Sequence, residues 1–123
     1  MNQDLKSIKF TYNWNNKLKC NYFTTMRLAN PEKYKVGNQH KILFLENGVY
    51  RDYGIGEIVA IRNLRLHQLN IFICGLDTGY SVDQTKQIIY KMYKNRIADI
   101  NHADFNLVLY RKIKKQPSQK TLF

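Results

Sequence analysis

Lys41-Ile42-Leu43-Phe44-Leu45-Glu46-Asn47-Gly48-Val49-Tyr50 decides the fold. Asn47-Gly48 is the strongest hairpin signal in the chain, because a two-residue type I′ turn needs positive φ at both central positions and these two residues tolerate it. Lys41 to Leu45 is therefore expected as one strand and Val49 to about Arg62 as its returning partner. Gly54-Ile55-Gly56 predicts a bulge or bend that splits the return, after which Glu57-Ile58-Val59-Ala60-Ile61 continues as core strand. The same glycines do not make a phosphate loop: no Lys-Ser/Thr follows them, and a dinucleotide fingerprint needs a third glycine.

Toward the N-terminus, Ile8-Lys9-Phe10-Thr11-Tyr12 alternates apolar and polar with aromatic and β-branched residues, the pattern of a half-buried strand. Asn13 to Asn16 break it, since asparagine side chains bond back to their own backbone, and a short helical turn is expected through Lys17-Leu18. Phe23 to Leu28 predicts a second strand, ended by Asn30-Pro31-Glu32 because the residue before proline is pushed out of the helical region. Gly37-Asn38 is a further turn signal.

Toward the C-terminus, Leu66 to Leu76 sets Leu66, Leu69, Phe72 and Ile73 at helical spacing, a helix expected to end before Gly75 or Gly79. Ser81 with Gln84 forms a capping box, and Asp83 in the first turn favours the helix dipole. This second helix is expected to reach about Asn95, with Val82, Thr85, Ile88, Ile89, Met92 and Tyr93 as its core stripe. Arg96 to Asp104 is expected as a loop and Phe105 to Tyr110 as a closing strand with Phe105, Leu107 and Leu109 alternating. The order predicts an α+β fold, a small closed or nearly closed mixed β-barrel of about five to six strands with two or three helices, as one domain over residues 1–113. Beyond Arg111 the composition shifts to Lys, Gln, Pro and Ser, so 114–123 is expected as a flexible basic tail.

The whole chain has 123 residues, enough for a single core and too few for two domains. No apolar run approaches the roughly 20 residues a spanning helix needs, and Met1-Asn2-Gln3-Asp4 has no basic flank before an apolar run, so no membrane partner and a cytoplasmic monomer are expected. Cys20 and Cys74 lie far apart, and with His40, His67 and His102 they make no zinc spacing, so neither a metal nor a cofactor is expected.

The net charge of +11 is segregated. Residues 1–41 carry eight Lys or Arg against Asp4 and Glu32; residues 42–110 are neutral, seven against seven; residues 111–123 carry five and no acid. Such segregation favours a polyanionic partner, with nucleic acid ahead of membrane because no basic amphipathic helix is evident. The stretch from Asn13 to Gly37 concentrates the means of binding one: the only tryptophan, several amides, adjacent hydroxyls and five basic residues. The expected nucleic-acid surface comprises Asn13, Trp14, Asn15, Asn16, Lys17, Lys19, Tyr22, Thr25, Arg27, Lys33, Tyr34 and Lys35. Trp14, Tyr22 and Tyr34 would offer stacking faces to unpaired bases, which points to RNA or a single strand. Trp14 also reads as a cap on the core, and the asparagines as turn formers. Thr25 and Arg27 share one strand face, with Met26 on the core side, so their face is assigned to a cleft. Arg27 suits either a phosphate or base edge or an ion pair with Asp77, and Asp77 reads equally as a turn or helix-cap residue.

Phe23-Thr24-Thr25-Met26-Arg27, Asn30-Pro31-Glu32-Lys33-Tyr34-Lys35-Val36-Gly37, Gly56-Glu57-Ile58-Val59 and Leu76-Asp77-Thr78-Gly79-Tyr80-Ser81 together resemble an ASCH domain of the PUA-like superfamily, over roughly residues 8–110. The resemblance implies a small barrel-like fold with a cleft beside the Thr-x-Arg strand. It also implies RNA binding, or hydrolysis of RNA or acylated cytidine nucleosides in some members. The family segment Gly-Lys-Lys-Thr-x-Thr-x-Arg reads Cys20-Asn21-Tyr22-Phe23-Thr24-Thr25-Met26-Arg27 here. Thr25 and Arg27 match, but Tyr22 stands where the hydrolases carry a catalytic lysine. A phenol ionising near pH 10 does not replace that lysine. Binding without catalysis is thus the expectation, with Lys17, Thr25 and Asp77 as candidate catalytic residues of the alternative and Lys17 or Lys19 able to take the lysine's place. Finally, Gln119-Lys120-Thr121-Leu122-Phe123 resembles the pentapeptide by which bacterial replication and repair proteins hook the sliding clamp, with Gln119, Leu122 and Phe123 as anchors.

Overall fold

In a computed structural model that describes residues 5–113, five strands form one mixed sheet: β1 (Ser7–Phe10), β2 (Tyr22–Leu28), β3 (Gln39–Glu46), β4 (Val49–Leu64) and β5 (Phe105–Ile113). Their order is β1-β3-β4-β5-β2; β1 runs parallel to β3 and every other pair is antiparallel. The expected hairpin is present, with φ of 51° at Asn47 and 80° at Gly48, so β3 and β4 pair from Glu46 and Val49 outward. The C-terminal tail residues Gln119, Leu122 and Phe123 lie outside the described residues.

β4 is longer than expected and unbroken. Gly54, at φ 105°, sits within an extra residue that β4 inserts opposite Lys41 and Leu43, and the strand continues through it. A second inserted residue lies between Ile58 and Ala60 opposite β5. Bulges raise local twist without ending a strand, and two of them curl the sheet into a half-barrel. The two outermost strands thereby approach: Phe10 of β1 meets Phe23 of β2 edge to face at 5.9 Å, and Arg27 Nη2 donates to the Lys9 carbonyl at 2.8 Å.

Both faces of the curled sheet are apolar. Inside lie Ile8, Phe10, Phe23, Ile42, Ile58, Val108 and Tyr110, with Leu18 closing one end. His40 is buried among them, its Nδ1 2.7 Å from the Tyr110 hydroxyl. The other face packs Met26, Leu28, Phe105 and Leu107 against α1 (Ile71–Asp77), α2 (Val82–Tyr93) and two 3-10 turns, Leu66–Gln68 and Ile100–His102. β5 therefore buries both parities, Phe105 outward and Val108 and Tyr110 inward, where alternation alone had favoured Phe105, Leu107 and Leu109.

The single helix expected from Leu66 to Leu76 is two pieces. Leu69 is extended, and Asn70 restarts the helix by accepting the Ile73 N–H at 2.8 Å, so α1 runs through Gly75 to Asp77. Phe72 is consequently 75% exposed rather than core. α2 begins as expected, with Ser81 accepting from Gln84 N and Gln84 accepting from Ser81 N. Among the described residues no helix is long and apolar enough to cross a membrane.

Candidate nucleic-acid interface

The site begins with the asparagine run. Asn15 and Asn16 take left-handed φ of 61° and 55°, a conformation asparagine adopts more readily than most residues. Their bend forms the 3-10 segment Trp14–Lys19, tied internally by Asn13 Oδ1 accepting from Leu18 N at 2.8 Å and by Asn13 Nδ2 donating to Asn16. Asn15 reaches across 60 residues to donate to the carbonyls of Gly75 and Leu76, both at 3.0 Å, satisfying the end of α1 that no later turn would. The asparagines thus serve the turn and the end of α1.

That docking sets Lys17 against Asp77. Lys17 Nζ donates to Asp77 Oδ1 and to the Asp77 carbonyl, each at 2.9 Å, and both side chains are buried. Thr24 Oγ1 donates to the same carboxylate oxygen at 2.7 Å. Burial pulls the Lys17 pKa down, Asp77 pulls it back up, and the nearby Arg27 adds a smaller downward push; the net direction is down. Thr24 was not expected at the site, whereas Thr25 was. The strand alternates, so Thr24 faces Asp77 while Thr25 is buried and accepts from Arg27 Nε at 3.0 Å. The alternative ion pair between Arg27 and Asp77 does not form.

Between β1, β2 and α2 lies a cavity of about 180 Å³. Its buried lining mixes polar Lys17, Thr25, Asp77, Thr78 and Thr85 with apolar Phe10, Ile89 and Tyr93; Ile88 and Met92 extend the apolar wall from α2, Met92 being exposed at the helix end rather than core as expected. Phe10, Tyr12 and Trp14 bring aromatic surface, and Lys9 and Arg27 bring charge. Arg27 lies with its guanidinium 4.7 Å from the Phe10 ring centroid. Lys33 is near enough to Arg27, Lys6 and Lys9 that these cations, after burial, help to depress its pKa. Among the described residues none of Lys6, Lys9, Arg27 and Lys33 forms an ion pair with a carboxylate. Lys9, Tyr12, Thr85 and the α2 wall were missed because they belong to segments whose patterning indicates only strand or core, and Thr78 because it stands in the turn between two helices.

Several expected members stand elsewhere. Tyr34 is buried, its ring edge-on to His40, so it has no free stacking face. Tyr22 is exposed, but it borders a separate depression with Asn21, Arg111 and Lys112. Lys19 and Lys35 are exposed outside the cavity. Trp14 is half-buried and keeps part of both readings, lining the cavity while packing on Tyr12 and Tyr80. Among the described residues no three His, Cys, Asp or Glu side chains converge as metal ligands. In comparison with known proteins the chain matches no family model, no curated protein and no solved structure, so its function has to be argued from the geometry of this site.

Proposed function

We propose that the protein binds single-stranded nucleic acid, RNA foremost, taking one unpaired base into the cavity while Lys6, Lys9, Arg27 and Lys33 hold the adjoining phosphates. The observation that carries this reading is a group of four neighbouring cations that have no carboxylate partner among the described residues, two of them, Lys9 and Arg27, lining a cavity walled largely by aromatic and apolar side chains. Unpartnered cations at close quarters repel, and a polyanion relieves that repulsion while its counterions are released. The cavity, at about 180 Å³, falls below the roughly 300–1,000 Å³ of pockets that hold drug-sized ligands, so it suits one base and not a whole nucleotide. A base can enter only from outside a duplex stack, which favours single strands. The cleft beside the Thr-x-Arg strand implied by the ASCH resemblance supports the same reading.

The test is a titration of the intrinsic Trp14 fluorescence with single-stranded RNA, single-stranded DNA, duplex RNA and free nucleosides at several salt concentrations. Single strands should bind best, with a log-log salt slope of about −3 if all four cations meet phosphates, at roughly −0.7 per contact. Preference for duplex, or affinity independent of salt, would sink the proposal.

A second reading is favoured by the Lys17, Asp77 and Thr24 contacts. A hydroxyl and a depressed ammonium sharing one carboxylate are the parts of an activated nucleophile, and Lys17 supplies the cation that Tyr22 does not. Incubation with N4-acetylcytidine distinguishes the two: a binding module leaves it unchanged, and turnover abolished by Asp77→Asn or Thr24→Val would establish a hydrolase.

A further inference from the structure

Just past the end of β1, Tyr12 lies parallel to Trp14, with ring centroids 5.2 Å apart and planes 11° from parallel. Tyr12 is nonetheless 58% exposed, so one face of its ring is covered by the indole and the other is open. Trp14 is itself fixed, with Tyr80 edge-on at 6.5 Å and the Lys17 ammonium 5.9 Å from its ring. Lys17 is itself paired with Asp77, so the stack adjoins a buried ion pair. Both Tyr12 and Trp14 also line the cavity, so the stacked pair stands at its edge.

We infer that the open face of Tyr12 is the seat of a second base, so that the site takes two consecutive nucleotides of a single strand, one base inside the cavity and its neighbour stacked on Tyr12. This rests on the single-strand reading above and gives its minimal ligand. A parallel aromatic face accepts any base, because every base presents a π surface, so the second position is tolerant of sequence. A preorganised platform also avoids the ordering cost that a free tyrosine would impose on binding. Duplex ends are disfavoured, since the cavity requires the neighbouring base to leave its stack.

The experiment compares 5′-phosphorylated ribodinucleotides carrying each base in turn with the same molecules whose second base is replaced by an abasic sugar. The charge is then constant, and Trp14 fluorescence reports binding. The intact dinucleotide should bind about tenfold more tightly than its abasic counterpart, in keeping with base-on-aromatic stacking. Tyr12→Ala should remove that difference between intact and abasic ligands, while Tyr12→Phe should preserve it. Unchanged far-ultraviolet circular dichroism confirms that this exposed position does not unfold the chain. Equal affinity for intact and abasic ligands in the wild type would overturn the second-base seat while leaving the single-base cavity standing. Binding of neither would overturn both.

Discussion

Arg27 of β2 donates from Nη2 to the carbonyl of Lys9 in β1 at 2.8 Å, joining the two strands that lie at opposite ends of the sheet order. Its Nε is spent on Thr25 and its planar face on Phe10, so one side chain closes the half-barrel and borders the cavity at once. Sheet closure by a guanidinium is possible because its donors lie in a fixed fork that one residue can direct to two acceptors.

Arg27→Ala is therefore expected to act twice. Loss of a charge-assisted hydrogen bond across the seam should cost about 1.5–3 kcal/mol in urea unfolding. RNA affinity, measured where the variant is still folded, should fall by about tenfold or more. Arg27→Lys should recover part of the affinity and little of the stability, because an ammonium keeps the charge and loses the fork. Equal stability of all three proteins would show that the seam does not depend on Arg27.

Lys17→Ala leaves the Asp77 carboxylate buried with Thr24 as its remaining side-chain partner, which should destabilise by about 3–5 kcal/mol in denaturant. Asp77→Asn should cost less, since an amide oxygen still accepts from Thr24 and Lys17. The order of the two variants is the informative quantity, and a reversed order would mean that the carboxylate is reached by water once Lys17 is gone.

Gly79 has φ of 82°, and a Cβ there would fall 2.5 Å from Asn15 Oδ1. Asn15 is held by the Gly75 and Leu76 carbonyls and cannot swing aside without releasing them. Gly79→Ala should thus destabilise by about 1–3 kcal/mol, combining backbone strain with loss of the α1 contact. Asn15→Ala made alongside should shrink that penalty, and a thermal-melt double-mutant cycle measures by how much.

His40 should make stability fall in mild acid. Burial, then the charges of Lys33 and Lys6, push its pKa down to about 4, and a neutral ring can accept the Tyr110 hydroxyl proton at Nδ1. The unfolded chain, with an imidazole near 6.5, binds more protons than the folded one between these values. Stability from this source is therefore full above about pH 6.5 and is lost as pH falls toward 4. Melting temperatures of wild type and His40→Gln from pH 7 to pH 4 should diverge at the top of that range and converge at the bottom. A constant gap would remove His40 as the cause.

What the sequence determined by itself is local. Asn47-Gly48, the Ser81 and Gln84 box and the asparagine bend before Lys17 depend on interactions within about five residues, so their chemistry is visible in order along the chain, and the bulge at Gly54 is announced by a glycine that tolerates positive φ. The basic character of the N-terminal third is likewise a property of composition. Tertiary structure alone decided which of these residues meet. Lys17 finds Asp77 because the 3-10 segment docks on α1, a contact spanning 60 residues that no spacing rule encodes. The choice of Thr24 over Thr25 for that carboxylate, the burial of Tyr34 beside His40, and the exposure of Phe72 follow from which face each element turns to a neighbour. The periodicity of one strand or helix fixes that two faces differ, but not which of them is covered; only the packing of the other elements against it makes that choice.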